Sequence, residues 1–306
     1  MNNILYIPSM DQNIKTTLTL DASTVPKSLQ AGSDEHLVRL WLHGRSLHTI
    51  DGYARDAQRF INFVNKPLAS VTLDDIQRYA DVLTGISDNT RKRKLYAIKS
   101  LLAFGHRLGY LTFDVGAPVR VPTVKDTLAE RILSDDEVRL ILKGEKNPRN
   151  HAILRLLYAA GLRVSELCGL RWRDVVIRNT GAQLTIFGKG RKTRFVKIPK
   201  GTYQEIQALY QAQTPDDPVF KSKKGKALSR SQVFRIVKAA SERAGLWQNV
   251  SPHWMRHAHA SHALDAGAPI HLVQSTLGHA SVATTGRYAH ARPQDSSARY
   301  VDAEDD

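Results

Sequence analysis

Residues 184–198 read Leu-Thr-Ile-Phe-Gly-Lys-Gly-Arg-Lys-Thr-Arg-Phe-Val-Lys-Ile. Two short runs of β-formers, Leu184 to Phe187 and Phe195 to Ile198, flank the turn Gly188-Lys189-Gly190, which is the pattern of a β-hairpin. Everything around it is patterned for helices. Upstream, Ser134-Asp135-Asp136-Glu137 reads as a capping box opening a helix with Val138, Ile141 and Leu142. The apolar run His151 to Ala160 stops at Gly161, a helix terminator. Downstream, amphipathic stretches lie near 204–212 and 229–245. The predicted fold class is therefore mainly α within α+β: a mostly helical second half with one small antiparallel sheet.

Between Val115 and Thr127 the helical pattern lapses around Pro118 and Pro122, so 115–127 is predicted to be a linker. Before it, apolar positions recur at helical spacing from Ser33. Leu37, Leu40 and Trp41 share one face, and Thr49 is a candidate cap for a helix with Tyr53, Phe60, Ile61 and Val64. Thr72 precedes a helix with Ile76, Tyr79, Ala80 and Leu83. Asn89 or Thr90 starts a fourth, with Leu95, Ile98, Leu101, Leu102 and Phe104, ending near Gly109. The expected organisation is a flexible arm over 1–30, a helical bundle over 31–114, the linker, and a second domain over 128–306.

Composition narrows the function. The chain of 306 residues carries 44 Lys and Arg against 29 Asp and Glu, a net charge of +15. The excess is uneven: residues 1–126 hold 16 against 12, and residues 127–306 hold 28 against 17. A polyanionic partner accounts for such a balance, since neutralised phosphates release counterions. The fourth predicted helix opens with Arg91-Lys92-Arg93-Lys94 and adds Lys99. These five, with Arg230 at the start of the 229–245 stretch, are candidate DNA contacts, although four consecutive cations on a helix do not all face one partner. No apolar run approaches the length of about 18 residues that a spanning helix needs. The N-terminus lacks the order of a secretory signal, and the single cysteine, Cys168, has no internal partner for a disulfide. The expectation is a soluble, cytoplasmic protein with no membrane partner.

Polar residues in five segments of the second half fit poorly with core packing. They are Arg163 in Gly-Leu-Arg-Val-Ser-Glu-Leu, Lys189 in the hairpin turn, His253 and Arg256 in His-Trp-Met-Arg-His, His279 in Leu-Gly-His-Ala-Ser, and Tyr288 in Thr-Thr-Gly-Arg-Tyr-Ala-His. Singly, each has an ordinary explanation: a helix-start arginine paired with Glu166, a turn lysine, a solvated helix face, a helix C-cap, a core-edge tyrosine. The histidines 257, 259 and 262 suggest a metal, but on a helix only His262 with Asp265 has ligand spacing, and two ligands are too few. No metal or other cofactor is expected.

In this order and context the residues resemble the catalytic domain of tyrosine recombinases and phage integrases, including the Xer type. That family carries an arginine in Gly-x-Arg-x-x-Glu, a hairpin lysine, His-x-x-Arg, a histidine or tryptophan, and a nucleophilic tyrosine. The first half is similar, with less motif content, to the family's helical core-binding domain, which clamps DNA together with the catalytic domain. The Asn-Pro often found before the linker is replaced here by Phe113-Asp114-Val115-Gly116.

The resemblance implies attack of Tyr288 on a DNA phosphodiester, giving a 3′-phosphotyrosyl link and a free 5′-hydroxyl. It assigns Arg163, Arg256 and His279 to the charged phosphate, His253 to phosphate contact or proton transfer, and Lys189 to protonation of the leaving oxygen. Arginine forks suit phosphate oxygens. Glu166, one turn after Arg163, is the candidate for orienting its guanidinium. An arginine-rich pocket is expected to lower the pKa of both Tyr288 and Lys189. The implied partners are double-stranded DNA with a specific recombination site and further copies of the chain in a tetramer on it, with room for an accessory protein. Gln294 to Ala303 is a candidate C-terminal helix, with Tyr300 and Val301 as anchors on a neighbouring subunit. Two alternatives are a type IB topoisomerase-like relaxing activity and a catalytically silent DNA-binding protein. The Xer-like wording speaks against the first, and the intact set of residues against the second.

Overall fold

The computed structural model describes residues 31–123, 127–188, 193–211, 214–247 and 249–290. The predicted arm over 1–30, Lys189 and the C-terminal segment with Tyr300 and Val301 lie outside the described residues. The chain divides into two compact units, Met1–Lys125 and Asp126–Asp306. Among the described residues no helix is long and apolar enough to cross a membrane.

The first unit holds α1 (Asp34–Leu42), α2 (Leu47–Val64), α3 (Leu73–Val82) and α4 (Asp88–Arg107). Their apolar stripes meet in a core of Leu37, Trp41, Phe60, Ile76, Leu95, Ile98, Leu101 and Leu102. Thr72, expected to precede a helix, caps α3 in a reciprocal box with Asp75. The predicted starts of α2 and α4 are corrected. Ser46, not Thr49, accepts from the backbone and caps α2, because Ser46 has the extended conformation while Thr49 already lies within the helix. Helix α4 begins at Asp88 after Ser87, one to two residues earlier than Asn89 or Thr90. Val115 and Val119 are buried in the first core, with Val121 against it. Half of the predicted linker therefore packs on the bundle.

The second unit runs α5 (Asp135–Gly144), α6 (Pro148–Ala159), α7 (Val164–Gly169), β1 (Val175–Arg178), β2 (Gly181–Phe187), β3 (Thr193–Pro199), α8 (Lys200–Gln207), α9 (Arg230–Arg243), α10 (Pro252–Asp265), α11 (Ile270–Leu277) and α12 (Val282–His290). The predicted hairpin is β2–β3, paired antiparallel with Thr185 opposite Phe195. A third strand, β1, pairs antiparallel along β2 and was not predicted. Its residues Val175 to Arg178 are mostly exposed, so they lack the alternation that marks a half-buried strand. The inner sheet face (Leu184, Ile186, Val196, Ile198) joins α6, α9 and α10 in one core. A smaller cluster of Ala260, Leu264, Val273, Leu277 and Tyr288 binds α10, α11 and α12 together. That cluster sets the position of the last three helices, and they carry most of the polar residues singled out above.

Candidate active site

Arg163 stands at the N-cap of α7 in extended conformation, following the stop that Gly161 puts on the preceding chain. Gly161 has φ +57, and a Cβ there would meet the His259 ring and Leu277 at 2.7 Å. The position requires glycine both for backbone angle and for close approach. Its carbonyl accepts from the guanidinium of Arg256, which also donates to Leu277 O at 2.7 Å. Arg256 is buried, and burial, followed by the nearby charge of Arg163, lowers its pKa to about 10. It remains cationic at neutral pH.

Glu166 accepts from the Arg163 backbone N–H at 2.8 Å and from its guanidinium at 2.9 Å, the orienting role its spacing suggests. Burial alone would raise the carboxyl pKa, but the bonds from Arg194 and Arg163 outweigh it and hold the value down. Arg163 also donates to Gly278 O at 3.2 Å. Both arginines are thus anchored from behind by carboxylate and carbonyl oxygens. A guanidinium has five N–H donors, so each keeps donors beyond these bonds.

His279 follows the left-handed cap Gly278 at the end of α11. Its Nδ1 lies 2.9 Å from the buried Thr285 hydroxyl. Burial, then Arg256 and Arg163, lower its pKa to about 4, so the ring is neutral at pH 7. With Thr285 donating to Nδ1, the proton resides on Nε2, which can donate to an anion. Tyr288, on α12, stacks its ring parallel to His279 with centroids 6.2 Å apart. It is buried, at 4% exposure, and its hydroxyl lies 2.8 Å from His257 Nδ1. His257 is held at about pKa 4 by burial, then by His253 and Arg256. The ring is neutral, and in the tautomer that carries its proton on Nε2 the tyrosine donates to Nδ1.

The expected lowering of the Tyr288 pKa is overturned. Burial raises it, and the attraction of Arg256, Arg287 and Arg163 offsets this only in part. Charging a phenol away from water costs more than three cations at these positions return. His253 lies on the first turn of α10, its ring 6.2 Å from that of His257.

Arg163, Glu166, His253, Arg256, His279 and Tyr288 are thus brought together. Two further participants escaped the sequence reading: His257, which touches the Tyr288 hydroxyl, and Arg194, which grips Glu166 through both oxygens at 2.8 Å. Arg194 carried a usable signal. It alternates with the buried Val196 and Ile198 on the inner register of β3, where an arginine needs a partner.

The basic run on α4 divides differently from the expectation. Arg93 is paired with the buried Asp56, Lys94 is itself buried, and Lys99 donates to the carbonyls of Ala117 and Val119 at 2.9 and 2.6 Å. Of these, Lys94 alone is buried; Arg93 remains exposed while paired, and Lys99 is half-buried. Arg91 and Lys92 are half-exposed, and Arg230 is exposed at the start of α9.

The chain matches the phage integrase family over residues 131–295 and the N-terminal SAM-like domain of phage integrases over residues 34–109. This chain belongs to the phage integrase family. It is 33% identical to the tyrosine recombinase XerD of Bifidobacterium longum over 279 residues, which covers 82% of this chain and 89% of that one. It is 34% identical to the tyrosine recombinase XerC of Pelobacter propionicus over 259 residues, covering 80% and 85%. In fold it is similar to the XerH recombinase bound to palindromic difH substrate, with TM-score 0.72 and 22% identity, covering 89% of this chain and 85% of that one. A lambda integrase dimer bound to a core site gives TM-score 0.70 at 18% identity, covering 86% and 77%. The family selects site-specific DNA recombination among the readings above, and the chain is an enzyme of the tyrosine recombinase type.

Proposed function

We propose that Tyr288 attacks a phosphodiester of double-stranded DNA at a specific recombination site, and that the resulting 3′-phosphotyrosyl link is resolved by the 5′-hydroxyl of a partner strand. The observation that carries this reading is the convergence of Arg163, Arg256 and His279 beside Tyr288. The arginines and His279 donate to the non-bridging oxygens, where negative charge builds as the phosphorus becomes crowded. Donors arranged in advance around developing charge contribute about 3–4 kcal/mol each. The Tyr288 oxygen forms its bond to phosphorus as the bond to the 5′-oxygen breaks. The tyrosine proton leaves toward His257 Nδ1, 2.8 Å away, with that ring's own proton on Nε2. The 5′-oxygen takes a proton from Lys189, the role the family gives to its hairpin lysine, and His253 adds a contact to the phosphate. One ester is exchanged for another, so no energy-rich cofactor is needed.

The first unit holds the duplex through the exposed parts of its basic surface, and four copies act together on DNA in the cytoplasm. Assembly is supported by analogy: a lambda integrase tetramer has been solved on a Holliday junction.

The test is a protein–DNA adduct on a denaturing gel, using duplexes selected from a random pool. Wild type is expected to form an adduct at one defined sequence, and Tyr288→Phe to form none. Tight binding without any wild-type adduct, even on a nicked duplex that traps the intermediate, overturns the reading.

A further inference from the structure

Helix α11 ends at Leu277, and its last carbonyls have no partners within the helix. Three of these oxygens in succession are held by three different arginines. Thr276 O accepts from Arg194 Nε at 2.7 Å, Leu277 O from Arg256 at 2.7 Å, and Gly278 O from Arg163 at 3.2 Å. Cations are favoured at this end of a helix dipole. Here they also fix the chain immediately before His279. Arg163 and Arg256 are the residues assigned to the phosphate; Arg194 is not among them.

Arg194 differs in what its donors do. Its Nε, Nη1 and Nη2 are all engaged, on Thr276 O and on both oxygens of Glu166, and its side chain is only 12% exposed. It crosses Gly278 closely: a Cβ on that glycine would meet three Arg194 atoms at 3.1–3.3 Å. Glu166 in turn accepts two bonds from Arg194 and two from Arg163, one on each oxygen from each residue. The carboxylate's four acceptor sites are filled, so the Arg163 guanidinium has a single place to rest.

We infer that Arg194 is a positioning residue for the cleavage step: from β3 it locks Glu166, and through it Arg163, while holding the end of α11 that presents His279. The inference rests on the reading of the site given above. Without Arg194, Glu166 keeps only Arg163, and the carboxylate is free to swing with it. The Thr276 carbonyl loses its donor at the same time. A displacement of about 1 Å in a catalytic group typically costs on the order of 100-fold in rate.

The test compares wild type, Arg194→Met and Arg194→Lys on one selected duplex, made with either the normal phosphodiester or a neutral methylphosphonate at the cleaved position. Melting temperature and DNA affinity are recorded for each. Arg194→Met is expected to cleave the phosphodiester roughly 10- to 100-fold more slowly, with DNA affinity retained. Arg194→Lys, which can pair with Glu166 but cannot reproduce the fork, is expected to fall between the two. On the methylphosphonate, where a charged oxygen no longer depends on Arg163, the gap between variants and wild type is expected to shrink.

Wild-type rates in Arg194→Met, or an equal loss on both substrates, overturn the inference. If the methionine variant does not fold, the lysine variant decides it by the same ratio of substrates. A wild type that forms no adduct fails the reading of the site itself, which is a distinct outcome from an adduct indifferent to residue 194.

Discussion

Asp56 and Glu166 are both buried helix carboxylates held by arginine, yet their charges are balanced differently. Asp56, on α2, faces Arg93 from α4, one acid to one base. Glu166, on α7, is shared by Arg163 and Arg194, and the buried Arg256 stands close enough to feel both its charge and that of Arg163. In the first, the further arginines about this pair, Arg55 and Arg59, are exposed, so water solvates their charge. The second leaves positive charge over on the buried Arg256, and that excess is costly unless an anion joins it. A balanced buried pair closes a fold, whereas an overfilled one marks a place where a ligand's charge belongs.

The largest effect expected from this contrast is on Arg256. Arg256→Ala should slow single-turnover cleavage by about 10²–10³-fold, equivalent to about 3–4 kcal/mol, with a much smaller change in DNA affinity. A loss below about tenfold would mean that the excess charge is not there for the reacting phosphate. The matching change in the first unit should read out in stability instead. Arg93→Ala removes the partner of the buried Asp56 from a half-exposed position, which is expected to cost about 1–2 kcal/mol, measured as a lower urea midpoint. A cost under about 0.5 kcal/mol, the range of ordinary surface substitutions, would break the comparison from the other side.

Much of this contrast could be read in the sequence on one side and little on the other. The order from Arg163 to Tyr288, with Glu166 one turn after Arg163, singled out residues that the fold brings together, Lys189 excepted because it lies outside the described residues. The hairpin was legible from its glycines and β-formers, the cap Ser134 from its box spacing, and Thr72 as the residue before a helix. What escaped depends on tertiary approach. Asp56 and Arg93 are 37 residues apart and Glu166 and Arg194 are 28 apart, and no local pattern announces such pairs. The four-cation run on α4 was expected not to face one partner, but that Lys94 is buried and Arg93 pairs with Asp56 is decided by tertiary approach. The rise in the Tyr288 pKa was missed for a related reason: nearby arginines are visible in a motif, but the degree of burial is not.

The two units should also respond differently to acid. In the first, Lys66, Thr72 and Arg78 hold Asp75 well below the usual carboxylate value despite its burial, so it stays ionised far into the acid range. In the second, burial foremost, with neighbouring charges, lowers His257, His259 and His279 to about 4 each. Unfolded histidines take up protons near pH 6.5. Between about 6.5 and 4 the unfolded chain therefore binds more protons than the folded one, and stability must fall as pH falls across that window. Allowing for partial exposure of these rings, a loss of about 2 kcal/mol is expected between pH 7 and 5, read from urea midpoints. Replacing His259, the one of the three that touches neither Tyr288 nor Thr285, by Asn should flatten the slope by about a third. An unchanged slope would show that these rings are not held neutral.

The smallest effect tests whether the pocket's excess of donors is tuned at the level of a single proton. Thr285 is fully buried, and its hydroxyl meets His279 Nδ1. If the hydroxyl donates there, the imidazole proton is confined to Nε2, aimed at the phosphate. Thr285→Val keeps the shape and removes the donor, leaving His279 free to place its proton on either nitrogen. A neutral hydrogen bond contributes about 1 kcal/mol, so cleavage should slow about fivefold, with melting temperature nearly unchanged and Thr285→Ser restoring the rate. Lysine or arginine cannot lose a donor in this way, because every N–H they carry is fixed by their charge. Only at a neutral ring does the direction of one buried hydroxyl decide whether the site offers the phosphate a donor or a lone pair. A valine variant as fast as wild type would therefore remove His279 from the donors and leave the arginines to carry the phosphate's charge.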